Sequence, residues 1–365
     1  MGKQYISTAI VGDAHQSDIL DVCVSKKYTV TCSADGSLKF WSNSSSDRAL
    51  ETKVFVDKFG LHHVSLFETS DFLLIGTVSF SGKFYLYKMS NQLAAVDDLP
   101  AELKNEKSSF WALKFMKDLE EDNNVLAITM ASGETQIYNL QGETLTYTAT
   151  TSSTDKSFAT SVDLDPTFKR MAVGHQNGNV YIYDLEYLKP LYEFQSYGLK
   201  KATSSSSLST VRCVRFSPGG TLLAVARDSG AYGTIFLYDV KYGEVIGTLT
   251  NASHSSNVGI GGFAHNSWCM SVSFNEDGTL LASGGLDDTI RIWSTSTRTK
   301  EANLVVSKSD VDDEALSHAN QLDNATCCAL SFIPRGLVAG EGDNDGLVIV
   351  GFDRVVRWFR EAGGV

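Results

Sequence analysis

A histidine, a serine and an aspartate occur in that order at His265, Ser283 and Asp287. Hydrolases combine these residue types as general base, nucleophile and orienting carboxylate. The same residues can also form a structural network, because an Asp in a turn can hold a His ring that bridges through a hydroxyl to an indole N–H. Trp293 follows Asp287 by six residues and supplies that indole.

The same polar pattern occurs a second time near the start of the chain. It comprises His15, Thr31 or Ser33, Asp35 and Trp41. A catalytic triad would not be duplicated in this way. The sequence also lacks a G-x-S-x-G elbow, a G-x-x-x-x-G-K-[ST] phosphate loop and an H-E-x-x-H zinc motif. We therefore predict two structural networks and a protein with no enzymatic activity, no cofactor and no metal site.

Both networks belong to a longer repeat. Short alternating strands are separated by turns rich in Gly, Asp and Asn, which is the pattern of antiparallel hairpins. Seven copies align on a closing aromatic residue, at Trp41, Tyr87, Tyr138, Tyr183, Tyr238, Trp293 and Phe359. The basic unit of about 40–45 residues has the length of a WD-type blade. Residues 1–365 are therefore predicted to form a single all-β, seven-bladed WD-repeat β-propeller.

The remaining copies lack the full polar set. The second to fourth copies carry Ser81, Ser132 and Asn177 where the complete copies have Asp, and the seventh retains only the turn acid, Asp353. Their networks are expected to be degenerate. Insertions at residues 196–209, 243–262 and 307–324 lengthen the later spacings, and the repeat resumes after each of them.

The two ends of the chain predict how the ring closes. The seventh copy supplies only three strand-like runs, whereas residues 4–11 form a strand without a copy of its own. A ring of sheets needs closure to remove exposed strand edges. Residues 4–11 are therefore expected to complete the last blade.

Composition restricts the classes of partner. The chain has 31 basic and 43 acidic residues, a net charge of −12, which disfavours a nucleic-acid groove. No apolar run approaches the length of a membrane helix, and the N-terminus lacks a signal peptide. The six cysteines form no C-x-x-C pair and mostly lie in apolar runs. This is typical of buried free cysteines in a protein from a reducing compartment. We expect an intracellular protein that contacts neither nucleic acid nor membrane directly.

A partner is expected at the face where the first strand of each blade begins, around the central channel. Three positions of the repeat are predicted to point there, and they give these candidates: Asp18, Leu20, Phe80, Trp111, Phe158, Arg212, Arg227, Trp268, Met270, Leu286 and Phe352. An apolar rim with Trp and Arg is typical of protein interfaces, although individual aromatic residues could instead turn into the core. We predict that the rim grips an apolar or aromatic-bearing peptide, with Trp111 and Trp268 as anchors and Asp18 facing a basic residue. The adjacent His62 and His63 are expected to point in opposite directions, one buried and one towards the surface.

Six segments resemble a known family of WD-repeat proteins. They are AHQSDI (14–19), GLHHV (60–64), SFWALK (109–114), FATSVD (158–163), FAHNSW (263–268) and RWFREAGG (357–364). This is the family of the WD-repeat subunit of the fungal superkiller complex. The resemblance covers nearly the whole chain, but the insertions at 196–209 and 307–324 contain few recognisable family residues.

The resemblance implies a non-enzymatic scaffold that binds a tetratricopeptide-repeat protein and an RNA helicase. It would support exosome-dependent 3′–5′ mRNA decay in the cytoplasm. A second, nuclear role with a meiotic topoisomerase-like protein is implied by the same family. The alternative is a WD-repeat adaptor of a nuclear transcription-elongation or chromatin complex.

Overall fold

The computed structural model describes residues 2–105, 107–118, 123–196, 209–251, 262–311, 325–337 and 344–363. Within these ranges the chain forms seven four-stranded antiparallel sheets and one short 3-10 helix, Lys308–Asp310. Residues 197–208, 252–261 and 312–324 lie outside the described residues; they make up most of the first and third predicted insertions and half of the second. The second insertion, expected to be a loop, also contains the strand Glu244–Leu249. The prediction of an all-β, seven-bladed propeller is confirmed.

Each sheet is one blade, and its four strands follow one another from the channel outwards. Blade 1 contains β2 (Ile19–Val24), β3 (Tyr28–Ser33), β4 (Ser37–Ser42) and β5 (Leu50–Phe55). Blade 2 contains β6 (Leu61–Glu68), β7 (Leu73–Ser79), β8 (Phe84–Met89) and β9 (Leu93–Ala95). Blade 3 contains β10 (Phe110–Met116), β11 (Asn124–Met130), β12 (Glu134–Gln141) and β13 (Thr144–Ser152).

The remaining blades follow the same plan. Blade 4 contains β14 (Ala159–Asp165), β15 (Arg170–His175), β16 (Val180–Asp184) and β17 (Pro190–Phe194). Blade 5 contains β18 (Val211–Phe216), β19 (Leu222–Ser229), β20 (Tyr232–Asp239) and β21 (Glu244–Leu249). Blade 6 contains β22 (Cys269–Phe274), β23 (Leu280–Gly285), β24 (Thr289–Ser294) and β25 (Lys300–Val305). Blade 7 contains β26 (Ala329–Ile333), β27 (Gly346–Val350), β28 (Val356–Glu361) and β1 (Tyr5–Val11).

The hydrophobic core is divided among the seven spaces between neighbouring blades. Successive residues of a strand point to opposite faces, so one strand serves two cores. Phe40 packs between blades 1 and 2, for example, whereas Trp41 packs between blades 7 and 1. This explains why the middle strands are apolar on both faces, as in β7, whose residues are all buried.

The ring is closed by the N-terminal strand, as expected from the sequence. β1 pairs antiparallel with β28, from Tyr5 opposite Glu361 to Val11 opposite Val356. Lys3 adds an ion pair to Glu361, with 2.8 Å between Nζ and Oε1. The first strands also contact one another around the whole ring, including β26 with β2.

Blade 6 contains the complete predicted network. His265 contacts Asp287 through Nδ1 at 2.9 Å and Ser283 through Nε2 at 2.8 Å. Trp293 donates its indole N–H to the same Ser283 hydroxyl at 2.8 Å. Ser283 is fully buried, so this triad of residues has the geometry of a structural clamp between strands.

Blade 1 repeats the clamp, and its geometry shows which of the two candidate hydroxyls, Thr31 or Ser33, takes part. His15 contacts Asp35 at 3.0 Å and Thr31 at 2.8 Å, and Trp41 donates to Thr31 at 3.0 Å. Thr31 lies opposite Lys39 in the sheet, two residues before Trp41. Ser283 likewise lies opposite Arg291, two residues before Trp293. Ser33 instead donates to the Ser17 carbonyl at 3.1 Å. The hydroxyl of this clamp therefore belongs to Thr31.

In blades 2 and 4 a carboxylate is present, but at a different position of the repeat from that in the complete clamps. Ser81 donates to Asp57 at 2.8 Å, and Asn177 donates to Asp155. Both aspartates lie in the loop that enters the blade, where the complete clamps have His. In blade 3, Ser132 donates to Glu134 at 2.9 Å.

In blade 7 the aspartate of the turn forms an ion pair. Asp353 is paired with Arg357 at 2.7 Å, and both side chains are buried. A buried carboxylate needs such a partner because an unpaired buried charge is costly.

We predict that Ser283→Ala lowers the free energy of unfolding by about 1–3 kcal/mol. The substitution leaves two buried groups, the Trp293 indole N–H and His265 Nε2, without their shared partner. Urea denaturation of Ser283→Ala beside Ser296→Ala, which changes an exposed serine in the turn after β24, measures the effect. Equal stability of the two variants would contradict the clamp.

Candidate partner-binding site

A β-bulge at the start of the first strand shapes the channel mouth in blades 1 to 6. The register shifts there between the first strand and the second. An extra residue in one strand re-aims its side chain. The shifted segments contain Leu20, His62, Trp111, Thr160, Arg212 and Met270, and all six line the channel. The bulge therefore converts one repeat position into a ring of side chains around the axis.

The channel encloses a cavity of about 310 Å³. On the side of blades 2 to 4 its mouth is aromatic. Trp111 stacks on His62 with 4.3 Å between ring centroids and meets Phe158 edge to face at 5.0 Å. Phe80 lies against His62 at 4.7 Å and is half exposed. Burial lowers the pKa of His62 to about 4, so this ring is uncharged near neutral pH and extends the apolar surface.

Trp268 forms a second aromatic surface between blades 5 and 6, outside the cavity. It is 37% exposed, and its indole N–H is fixed by the Gly230 carbonyl at 2.8 Å. The Arg212 guanidinium lies 4.5 Å from its ring centroid. Asp228 fixes Arg212 through two hydrogen bonds of 2.8 and 2.6 Å. A fixed aromatic surface of this kind loses little side-chain freedom on binding a partner.

The structure brings most of the predicted candidates together. Seven of the eleven line the cavity: Leu20, Phe80, Trp111, Phe158, Arg212, Met270 and Phe352. Asp18, Trp268 and Leu286 lie outside it and are accessible to solvent.

The prediction for Arg227 is wrong. This residue is 2% exposed, and its guanidinium donates to the Gly178 carbonyl at 2.9 Å and to the Tyr238 hydroxyl at 3.2 Å. It lies on the second strand, β19, where no bulge turns the side chain towards the axis, so it packs between blades 4 and 5.

Sequence reasoning missed a layer of polar residues inside the channel. Asp21, His63, Lys114 and Arg215 all line the cavity. The prediction that His62 and His63 point in opposite directions is also wrong, because the bulge between Leu61 and His63 re-aims His62, and the two histidine rings meet at 4.9 Å. The available signal was a lone charge in an otherwise apolar first strand, as Lys114 is in FWALKFM.

Two kinds of feature are absent from the described ranges. There, no group of three or more His, Cys, Asp or Glu residues is arranged to hold a metal ion. The same residues include no helix with the length and apolarity needed to cross a membrane.

The blades, their clamps and the bulged first strands define a WD-repeat β-propeller. A family model described as "WD domain, G-beta repeat" matches residues 7–42, 200–239 and 260–294. Antiviral protein SKI8 from Saccharomyces cerevisiae is 36% identical over an alignment that covers all of both chains. The chain belongs to the SKI8 family of WD-repeat proteins.

Two further relatives are similar to only part of the chain. Meiotic recombination protein rec14 from Schizosaccharomyces pombe is 25% identical over 67% of this chain and 74% of that protein. WD repeat-containing protein 1 from Xenopus tropicalis is 41% identical over 26% of this chain and 13% of that protein.

The buried histidines predict how stability depends on pH. Burial holds the pKa of five of them below the ordinary value: His15, His62, His63, His175 and His265. Such a histidine binds a proton more readily in the unfolded chain, so its contribution to stability is complete above about pH 6.5 and is lost as the pH falls. Asp21, whose pKa burial raises to about 6, acts in the opposite direction.

We therefore expect the free energy of unfolding to fall between about pH 7 and pH 5, by up to about 1.4 kcal/mol per pH unit for each histidine that stays neutral when folded. Urea denaturation at a series of pH values measures this slope. His62→Phe keeps an aromatic ring at the mouth and should reduce the slope by the contribution of one histidine. A stability that rises on acidification through this range would show that these histidines are not held neutral.

Proposed function

We propose that this protein is a non-enzymatic scaffold subunit of a superkiller complex. Its channel mouth binds a segment of a tetratricopeptide-repeat protein, and through that protein it joins an RNA helicase. The assembly supports exosome-dependent 3′–5′ decay of messenger RNA in the cytoplasm. The full-length similarity to Antiviral protein SKI8 supports this proposal.

The observation that carries the proposal is the aromatic channel mouth. Trp111, Phe80 and Phe158 form one contiguous cluster with His62 at the cavity entrance. Exposed aromatic clusters on a soluble protein mark protein interfaces, and tryptophan is enriched among the residues that dominate binding energy. The mouth suits a peptide with apolar or aromatic side chains, and Asp18 beside it suits a basic residue of the same peptide.

The net charge supports the view that the partners of the complex, and not this subunit, bind the RNA. A protein with a charge of −12 is repelled by the phosphate backbone, so the RNA is held by the partners rather than by this subunit. The propeller then acts only through protein contacts.

A second role in meiotic recombination is supported by the similarity to Meiotic recombination protein rec14. In that role, which places the protein in the nucleus, the same mouth would bind a segment of a topoisomerase-like protein. One surface can serve both roles if the two partners present similar segments.

Affinity purification with mass spectrometry tests the proposal on the full-length chain. The test bait carries Trp111→Ala and Trp268→Ala, and the control bait carries Tyr187→Ala and Tyr242→Ala. The two control tyrosines are exposed, in turns between the third and fourth strands at the other end of the blades. We expect the wild type and the control to recover the helicase and the tetratricopeptide-repeat protein, and the test bait to recover at least about tenfold less.

Other outcomes would revise the proposal in defined ways. Equal recovery on all three baits would retain the scaffold and reject the mouth as its binding surface. Recovery of transcription-elongation or chromatin proteins instead would reject the superkiller assignment in favour of a nuclear adaptor. Thermal unfolding of each bait verifies that the substitutions leave the fold intact.

A further inference from the structure

The channel changes in character below its aromatic mouth. Lys114 from β10 and Arg215 from β18 line the cavity there, with 34% and 30% of their side chains accessible. Both face the same carboxylate, that of Asp163. Lys114 Nζ lies 3.0 Å from Asp163 Oδ1, and Arg215 Nη1 lies 4.0 Å from the same oxygen.

These two cations keep most of their hydrogen-bonding capacity. Lys114 has three N–H donors and Arg215 has five. Among the described residues, Lys114 forms an ion pair with Asp163, whose Oδ1 accepts no hydrogen bond, and the Arg215 guanidinium donates only to the Val214 carbonyl, at 3.1 Å. The second oxygen of Asp163 is occupied, because it accepts the backbone N–H of Phe216 at 2.8 Å.

Three serine hydroxyls add further donors to the cavity. Ser65, Ser161 and Ser271 line it, and each accepts a backbone N–H from the first strand of the next blade. The distances are 3.0 Å from Phe115, 3.1 Å from Val214 and 3.3 Å from Leu330. A hydroxyl that already accepts a hydrogen bond in this way still has its own proton to donate.

Asp21 lines the cavity at this level, and both of its carboxylate oxygens are occupied. They accept the backbone N–H groups of Val22 at 2.9 Å and Val64 at 3.0 Å. His63 adds no charge, because burial holds its pKa well below the ordinary value. Hydrogen-bond donors therefore exceed unoccupied acceptors in the middle of the channel.

We propose that the middle of the channel is an oxyanion-binding site, in which Lys114 and Arg215 hold a phosphate, sulfate or carboxylate group with the help of the serine hydroxyls. Arg and Lys supply the charge-assisted hydrogen bonds by which proteins bind such groups. The site goes beyond the proposed scaffold function and lies deeper than the aromatic mouth. Its occupant is either a free anion or an acidic group on the bound partner segment.

Isothermal titration calorimetry of the full chain with sodium phosphate tests the site, with sodium chloride at equal ionic strength as the reference. We expect saturable binding that weakens about tenfold in Lys114→Gln and in Arg215→Gln, since each change removes a charge-assisted contact. Lys88→Gln is the matched control, because Lys88 is 32% accessible and is also paired with one carboxylate, Glu143, at 2.8 Å. Lys88 is not among the residues that line the channel.

Two results would overturn the proposal: no saturable binding to the wild-type chain, or unchanged affinity in both channel variants. Arg215→Lys, which keeps the charge but loses the planar fork, replaces Arg215→Gln if that variant does not fold. The Trp111→Ala/Trp268→Ala bait should bind phosphate normally, so failure of the anion site and failure of the partner-binding mouth are distinguishable.

Competition identifies the source of the anion. If the partner segment supplies an acidic group, phosphate reduces recovery of the partner, and Lys114→Gln weakens that recovery. If a free anion occupies the site, phosphate leaves recovery unchanged or raises it.

The pH dependence gives an independent check on the same site. Asp21 is packed against β3 with Cys32, β6 with His63 and β26 with Cys328, and it lies within electrostatic range of Lys114 and Arg215. Its pKa is raised to about 6 by burial, so acidification removes a negative charge from the channel. Sulfate affinity should therefore rise a few-fold from about pH 7.5 to about pH 5.5, and Asp21→Asn should abolish the rise. An equal rise in that variant would contradict the role given to Asp21.

Discussion

Closure of the ring is the constraint on which the other features of the molecule depend. Each hydrophobic core lies between two blades, so no blade can bury both of its faces unless both neighbours are present. The single join between β1 and β28 completes blade 7 and so the last of these cores. Trp41 of blade 1 meets Trp358 of blade 7 edge to face at that place, with 6.1 Å between ring centroids. This pairing, together with the contacts of β2 with β26 and β27, holds the ring that encloses the channel.

Closure also creates the polarity of the channel. The inner edge of each first strand has no neighbouring strand in its own sheet, so its backbone N–H groups need other acceptors. Side chains of the preceding blade supply them: Val64 donates to Asp21, Phe115 to Ser65 and Val214 to Ser161. The acceptors of the channel wall are thereby used to join the blades. The donors of Lys114 and Arg215 remain, which is why an oxyanion suits the cavity.

The aromatic mouth and the polar layer below it are suited to different parts of one ligand. The mouth offers aromatic faces that are already fixed, by ring stacking at Trp111 and by hydrogen bonds around Trp268. Fixed side chains reduce the entropy lost on association, so a short peptide can bind with useful affinity. The polar layer below adds charge recognition, which increases specificity more than affinity.

The sequence by itself determined the seven blades, the closing strand and the residue types of both complete clamps, because alternation and turn residues act over short stretches of chain. It placed ten of the eleven rim candidates at accessible positions. Only the tertiary structure decided that Thr31 rather than Ser33 completes the clamp, that His62 and His63 share the channel, and that Arg227 is buried. Each of these depends on the register between strands or on a bulge, where one extra residue turns a side chain to another face. The meeting of Lys114 and Arg215 was likewise beyond the sequence, because they come from strands two blades apart that only the closed ring brings to one axis.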